Sequence, residues 1–466
     1  MTHTDAAVVV SPEALPRAMA QPPATPAAEA DGQLLLDDDA RARLESAKSK
    51  RALQDPPGLR APRGARIASA AAVVYVAALP LLKPTGPFNT SPVDVAGLVL
   101  VVAVAVGSRT KRLRVQLPYA VPIAIFALAG TLGALAGPVP ALGLTAVVQD
   151  IILLSVCAAI ATTARAARVN RLLMRTWAVA GLCWAGMLVV GVVTHVTALS
   201  GGGIRYGARA SLTMGDPNLA ANYLVVSMFM LYAARWPARP VRRVGASLVL
   251  LAAVLLTGSN GATIAALIGA LVSMVAAICI RNGWPLLPGL VALGAVGLLL
   301  IAIAPVARWQ QDIVTNAQAS SIPIVRDSFG REDQSSSTRH TLLDESLQLF
   351  HSDGLLGTGP ASTKHVLAAD QFPYQKEAHD DYMAALTERG VLGVFGLALL
   401  IGAAARRVGA VARVPRSSGQ RLMAPAPVVG CAVALATSGL FYEILHFRQL
   451  WVFLALIATV PMAKRS

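Results

Sequence analysis

The sequence predicts an all-α, polytopic integral membrane protein, on three observations. Of 466 residues, 55% are apolar and only 14% charged, with a mean hydropathy of +0.58; soluble chains hold roughly 45–50% apolar residues. The apolar residues come in repeated runs of roughly 16–22, enough to cross a ~30 Å hydrocarbon core as helices, and no open strand can satisfy its backbone there. Basic residues, finally, gather in alternate connections between those runs.

Residues 1–66 are rich in Ala, Pro and charge and show no sustained apolar period, so a largely disordered cytoplasmic segment is expected. Within it, 34–53 is a candidate amphipathic helix lying on the membrane surface. A polar stretch precedes the first apolar run, which is not how a secretory signal is built. Twelve spans are predicted: 67–82, 92–107, 117–137, 141–162, 176–199, 217–234, 244–258, 261–280, 285–305, 380–404, 424–444 and 447–462. The seventh and eighth are short and meet at Thr257-Gly258-Ser259-Asn260-Gly261, a tight or re-entrant hairpin. The predicted organisation is thus 1–66, spans one to nine over 67–305, a large external loop over 306–379, and spans ten to twelve with a short tail over 380–466.

Orientation follows from the cations. Arg109 to Arg114, Arg165 to Arg175, Arg235 to Arg243, Arg281, Arg406 to Arg421 and Lys464-Arg465 all fall on one side, with the N-terminal segment. The positive-inside rule makes that side cytoplasmic and puts both termini there. The net charge of +15 is therefore topogenic, and nucleic acid is excluded as a partner. Cys157, Cys183, Cys279 and Cys431 stand singly in apolar runs, so neither a zinc site nor a disulfide framework is expected.

Polar chemistry concentrates on the opposite, external face, in 200–218 and in 306–378. The longer segment carries Arg339, His340, His351, Lys364, His365 and, at its end, His379. Its 335–350 part is patterned as a capped amphipathic helix, which Gly354, Gly357 and Gly359-Pro360 then break. His379 heads span ten on one helical face with Tyr382, Met383, Leu386, Gly390 and Gly393. An imidazole at that boundary can take a proton from a hydroxyl near neutral pH, as transfer to an alcohol requires. Arg339 and Arg209 are external while most arginines are internal, and a guanidinium fork suits the oxygens of a diphosphate. His379-Asp380-Asp381 is a poor chelate, because neighbours on a helix point about 100° apart; no metal is expected. The ionisable groups within spans are Asp94, Asp150, Glu443, His446 and Arg448, of which Glu443 is expected to pair with Arg448 near the turn between spans eleven and twelve. Asp150 has no evident partner and is the best sequence argument for a transporter.

Three motifs in order resemble the O-antigen ligase and polymerase superfamily. They are Arg209 followed by Gly215-Asp216-Pro217-Asn218-x-Ala220, the turn at Thr257–Gly261, and Arg339-x-x-Leu342 leading through Gly354-Leu355-Leu356-Gly357-x-Gly359 to His379-Asp380-x-Tyr382-x-x-x-Leu386-x-Glu388-x-Gly390-x-x-Gly393. The likeness spans roughly 170–400, the turn carrying Asn260 where the family usually has arginine and Asp380 standing for the usual Asn or Ser. It implies a metal-independent, cofactor-free, inverting glycosyltransferase of a bacterial plasma membrane. Its donor would be a glycan on a polyprenyl diphosphate, and its acceptor a glycan, lipid or cell-wall hydroxyl on the outer face. By position, His379 would be the base and Arg339 and Arg209 the diphosphate ligands. Arg205, Asn218, Lys364, Asp380 and Tyr382 would complete the substrate-binding set. A repeat-unit polymerase of the same superfamily is the near alternative, and an exporter of glycan or lipid-linked precursor is the alternative from another class. The exporter would call for internal repeats and broken helices meeting at midplane, and the halves show no clear repeat.

Overall fold

At the centre of the bundle is a helix apolar all round, as a helix with no solvent face must be. Fourteen of the seventeen residues of Pro217–Ala233 are buried. The structure is a computed structural model. It describes residues 63–82, 90–109, 113–201, 209–286, 289, 294, 316, 319, 344–351, 354–369, 380–414 and 422–460.

In chain order the long helices are α1 (Arg63–Ala78), α2 (Pro92–Arg109), α3 (Ala120–Ala136), α4 (Pro140–Thr163), α5 (Ala167–Val193), α6 (Pro217–Ala233), α7 (Pro240–Leu256), α8 (Asn260–Asn282), α9 (Asp381–Arg413), α10 (Pro425–Ser438) and α11 (Arg448–Ala458). No strand occurs among the described residues. By length and composition α2, α4, α5, α8 and α9 can each cross a membrane, and α1, α3, α10 and α11 are shorter apolar helices.

α6 is walled by α5, α7, α8 and α10, and α11, buried from Gln449 to Ala458, packs on α4. Buried amide and indole groups tie these inner helices together: Gln449 Nε2 donates to Asn222 Oδ1 at 3.1 Å and Trp177 Nε1 to Ser227 Oγ at 3.1 Å. α8 and α10 make the most extensive helix pair, through small residues at Gly269, Gly430 and Ala434 that let the backbones meet. The outer helices bury one stripe and leave the other apolar. α2 buries Val93, Gly97, Leu100 and Val104 yet exposes Val95, Leu98, Val102 and Val106. Apolar surface of that extent on one helix after another is a lipid-facing surface.

Each predicted span has a helix at its place except 285–305, which from 287 lies outside the described residues apart from 289 and 294. Several helices run further into their basic flanks than predicted. α1 begins at Arg63, α5 at Ala167 and α7 at Pro240, and α9 continues to Arg413. Arg168, Arg171 and Arg175 point outward on α5 while Asn170, Leu173, Met174 and Trp177 face in, so the helical period persists beneath the charge. The turn at Thr257–Ser259 is a tight one, with Gly258 at φ 60.

Candidate functional site

Five connections that alternate along the chain, after α1, α3, α5, α7 and α10, meet at one end of the bundle together with the start of α9. Asp216 caps α6 by accepting from Asn218 N at 2.6 Å and Leu219 N at 3.1 Å, with Pro217 at the first helical position, where no N–H is needed. That cap turns Asn218 towards Arg209. The Arg209 guanidinium donates through Nη2 to Asn218 Oδ1 at 2.7 Å and through Nε to Thr257 O at 2.8 Å. Arg209 is thereby oriented by two of the sequence motifs at once.

Next to it runs the α10–α11 connection. Tyr442 OH lies 2.8 Å from Ser259 Oγ. The Asp381 carboxylate accepts from Ile444 N at 2.9 Å and Leu445 N at 3.2 Å. Asp380 is the N-cap of α9, accepting from Tyr382 N at 2.7 Å and Met383 N at 3.3 Å, and Tyr382 OH donates to Ala436 O at 2.9 Å. Asp380 therefore has a structural task that explains it without a substrate. Lys364 sits on the short helix Thr363–Ala369 with its side chain exposed. Arg205, Arg339 and His379 lie outside the described residues.

One expected pairing, and the expected lack of a partner for Asp150, are corrected. Arg448 does not pair with Glu443; its Nε and Nη2 donate to Asp94 Oδ1 at 2.9 and 2.7 Å. Glu443 instead faces His446, with Oε2 3.7 Å from Nε2. Glu443 and Arg448 flank a 3-10 turn, Ile444–His446, which sends their side chains apart. Asp150 does have a partner: Arg389 Nη2 donates to its Oδ2 at 2.7 Å, with side chains only 6% and 4% exposed. Arg389 also lies 4.0 Å over the Phe126 ring and donates to Phe126 O at 3.3 Å. His446 Nδ1 is 4.0 Å from Asp150 Oδ1, so both ring nitrogens face carboxylates.

α9 is broken where Arg389 anchors it. Gly390 has φ 63 and ψ −162, a conformation left to glycine, and a Cβ there would run into the Leu355 backbone. The segment 357–363 fills the gap. Thr358 N donates to Thr387 O at 2.8 Å and Gly359 N to Glu388 O at 2.9 Å, so loop amides take helix carbonyls. The Glu388 carboxylate accepts from Ala361 N at 3.1 Å and from Thr363 Oγ1 at 2.8 Å. Gly133 on α3 leaves room for this docking, since a Cβ there would meet the backbones of Leu356 and Glu388. Irregular backbone in a membrane bundle is tolerated only when protein satisfies it, as here. The expected inward face of α9 holds in part: Gly390 and Gly393 are buried, but Tyr382, Met383 and Leu386 are half-buried, while Asp381, Ala385, Thr387, Glu388 and Arg389 are buried.

A groove of about 1180 Å³ reaches this end beside Asp381, Tyr382, Ile444 and Leu445. It runs between α8, α9, α10 and α11 along mainly apolar side chains, as far as Arg281 and Arg413. Among the described residues no three His, Cys, Asp or Glu side chains gather as a metal-binding group.

Residues 245–398 match the family model for O-antigen ligase. The match takes in the Thr257–Gly261 turn, the docked segment and the break in α9; Arg209, Asn218, Asp150 and the α10–α11 connection lie outside it. No curated protein matches the chain.

Proposed function

From the premise that the chain carries an O-antigen ligase domain, a family of membrane glycan transfer, we propose that it moves a glycan from a polyprenyl diphosphate to an acceptor hydroxyl on the outer face of a bacterial plasma membrane. In this reading the twelve spans put both termini inside and the site outside. The acceptor hydroxyl gives its proton to the His379 imidazole, and its oxygen attacks the anomeric carbon from the face opposite the phosphate. The bond from that carbon to the phosphate oxygen breaks, and the diphosphate leaves with the electron pair. Arg339 and Arg209 bind the charge that grows on it, the largest kind of term available to such a site. Inversion at the anomeric carbon follows from the single displacement, and no metal is required.

The observation that carries this reading is the convergence of the Arg209 site, the Thr257–Ser259 turn and the start of α9 at one end of the bundle, where Asp381 and Tyr382 of α9 also line a long apolar groove. A headgroup held at that end would leave a polyprenyl chain the groove to lie in. Tyr382 lines this end, and Asn218 serves by orienting Arg209. The exporter reading loses its main support once Asp150 is bound to Arg389.

The test is transfer by purified protein in proteoliposomes loaded with a polyprenyl-diphosphate glycan. Wild type should convert the donor in the presence of a chelator, and Arg339→Lys should be severely impaired, because lysine keeps the charge and loses the fork. Chelator inhibition that a divalent ion reverses would bring a metal back. Transfer to a different carrier marks a ligase, and lengthening of the donor chain marks a polymerase.

A further inference from the structure

We infer that Glu388 is a positioning residue for the transfer: its carboxylate locks the external segment 357–363, which stands in the chain between Arg339 and His379, into the break of α9. The inference rests on the function proposed above. Arg339 lies upstream of the locked segment and His379 downstream of it, two residues before α9 begins.

The geometry is a double lock. One layer is backbone, with Thr358 N and Gly359 N on the carbonyls of Thr387 and Glu388. The other is the Glu388 side chain, whose two oxygens take Ala361 N and Thr363 Oγ1. Glu388 and Thr363 are both buried, so these bonds are not open to competition by water. The next residue, Arg389, is tied to Asp150 on α4 and to Phe126 on α3. The lock therefore sits on α9 where that helix is tied to α3 and α4. A carboxylate in a reaction centre invites the rival reading that Glu388 itself handles a proton or bears charge for catalysis.

Glutamine separates the two. A carboxamide can accept from Ala361 N with its oxygen and donate to the Thr363 hydroxyl with its nitrogen, so Glu388→Gln keeps the lock and loses the charge. Two readouts are taken on the full-length protein in nanodiscs: transfer from a polyprenyl-diphosphate glycan, and amide hydrogen exchange over 354–363. Glu388→Ala should lose about a hundredfold in turnover, the cost of a small misplacement of reacting groups, with faster exchange at 358, 359 and 361. Glu388→Gln should stay within a few-fold of wild type and keep its exchange protection. If Glu388→Ala does not insert, Thr363→Val carries the test: it should lower turnover and protection together, and Thr363→Ser should restore both.

Wild-type turnover in Glu388→Ala overturns the inference. So does a Glu388→Gln variant that is protected from exchange yet as inactive as Glu388→Ala, since that outcome assigns Glu388 to proton or charge chemistry. A wild-type protein that transfers nothing fails the proposed function instead, and the exchange data then report the docking by itself.

Discussion

Arg209 shows how neighbours orient a single cation. A free guanidinium at a water boundary samples many rotamers, and Asn218 and Thr257 hold this one from two sides. Asn218→Ala should loosen it without removing charge. Losing a hydrogen bond to a charged group costs about 1.5–3 kcal/mol, so the KM for the lipid-linked donor should rise about tenfold or more with little change in kcat. An unchanged donor KM would separate Asn218 from the donor site. Arg209 and Asn218 were each legible in the sequence, one as an arginine on the external side and the other in an Asp-Pro-Asn helix start. Their contact was not, because the short stretch between them, a 3-10 turn and a helix start, carries no periodicity to say what faces what. Arg389 was missed altogether, although an arginine inside a predicted span is itself a signal of a buried partner. With Asp150 it accounts for two charges that either alone leaves unexplained.

On the scale of elements, the broken α9 is the feature on which the site depends. Asp150 and Arg389 are an ion pair buried in the bundle, and removing one partner leaves the other charge uncompensated. Asp150→Ala should cost about 3–5 kcal/mol, read as thermal unfolding in detergent. The double variant Asp150→Leu with Arg389→Met should recover much of that loss, since an apolar pair of similar volume often replaces a buried ion pair at no cost. Equal losses in the single and double variants would argue that the pair does not couple α9 to α4. Gly390→Ala should be damaging for a different reason: its φ of 63 and the nearby Leu355 backbone both reject a side chain. The spacing Glu388-x-Gly390-x-x-Gly393 reads as helix packing by small residues, and helical periodicity carries through it. Only the partner segment 357–363 reveals that the helix stops there. That is a contact between sequence-distant backbones, beyond what a local pattern can encode.

For the whole molecule, the sequence was most informative where the physics is simplest. Apolar runs must be helices in lipid, and every described run is one. The ends were less legible, because a helix such as α5 continues under its outward-pointing arginines. The alternation of basic connections also foretells which loops share an end, and the five connections that meet around the site are the ones it assigns to the external face. Protease-cleavable tags at the N- and C-termini should be cut only from the cytoplasmic side, and one inserted in 306–343 only from outside. Termini cut from opposite sides would contradict twelve spans.

In the proposed reaction a glycan leaves a polyprenyl diphosphate outside the membrane, with His379 as base. The most direct measurement is the profile of lipid-linked glycans in cells lacking the protein, supplied with wild type or with His379→Ala. A missing general base costs about 10²–10⁴-fold, so His379→Ala should insert normally and still accumulate polyprenyl-diphosphate glycans on the outer leaflet, as the cells without the protein do, while wild type clears them. Full clearance by His379→Ala, or accumulation confined to the cytoplasmic leaflet, would contradict the account and favour transport.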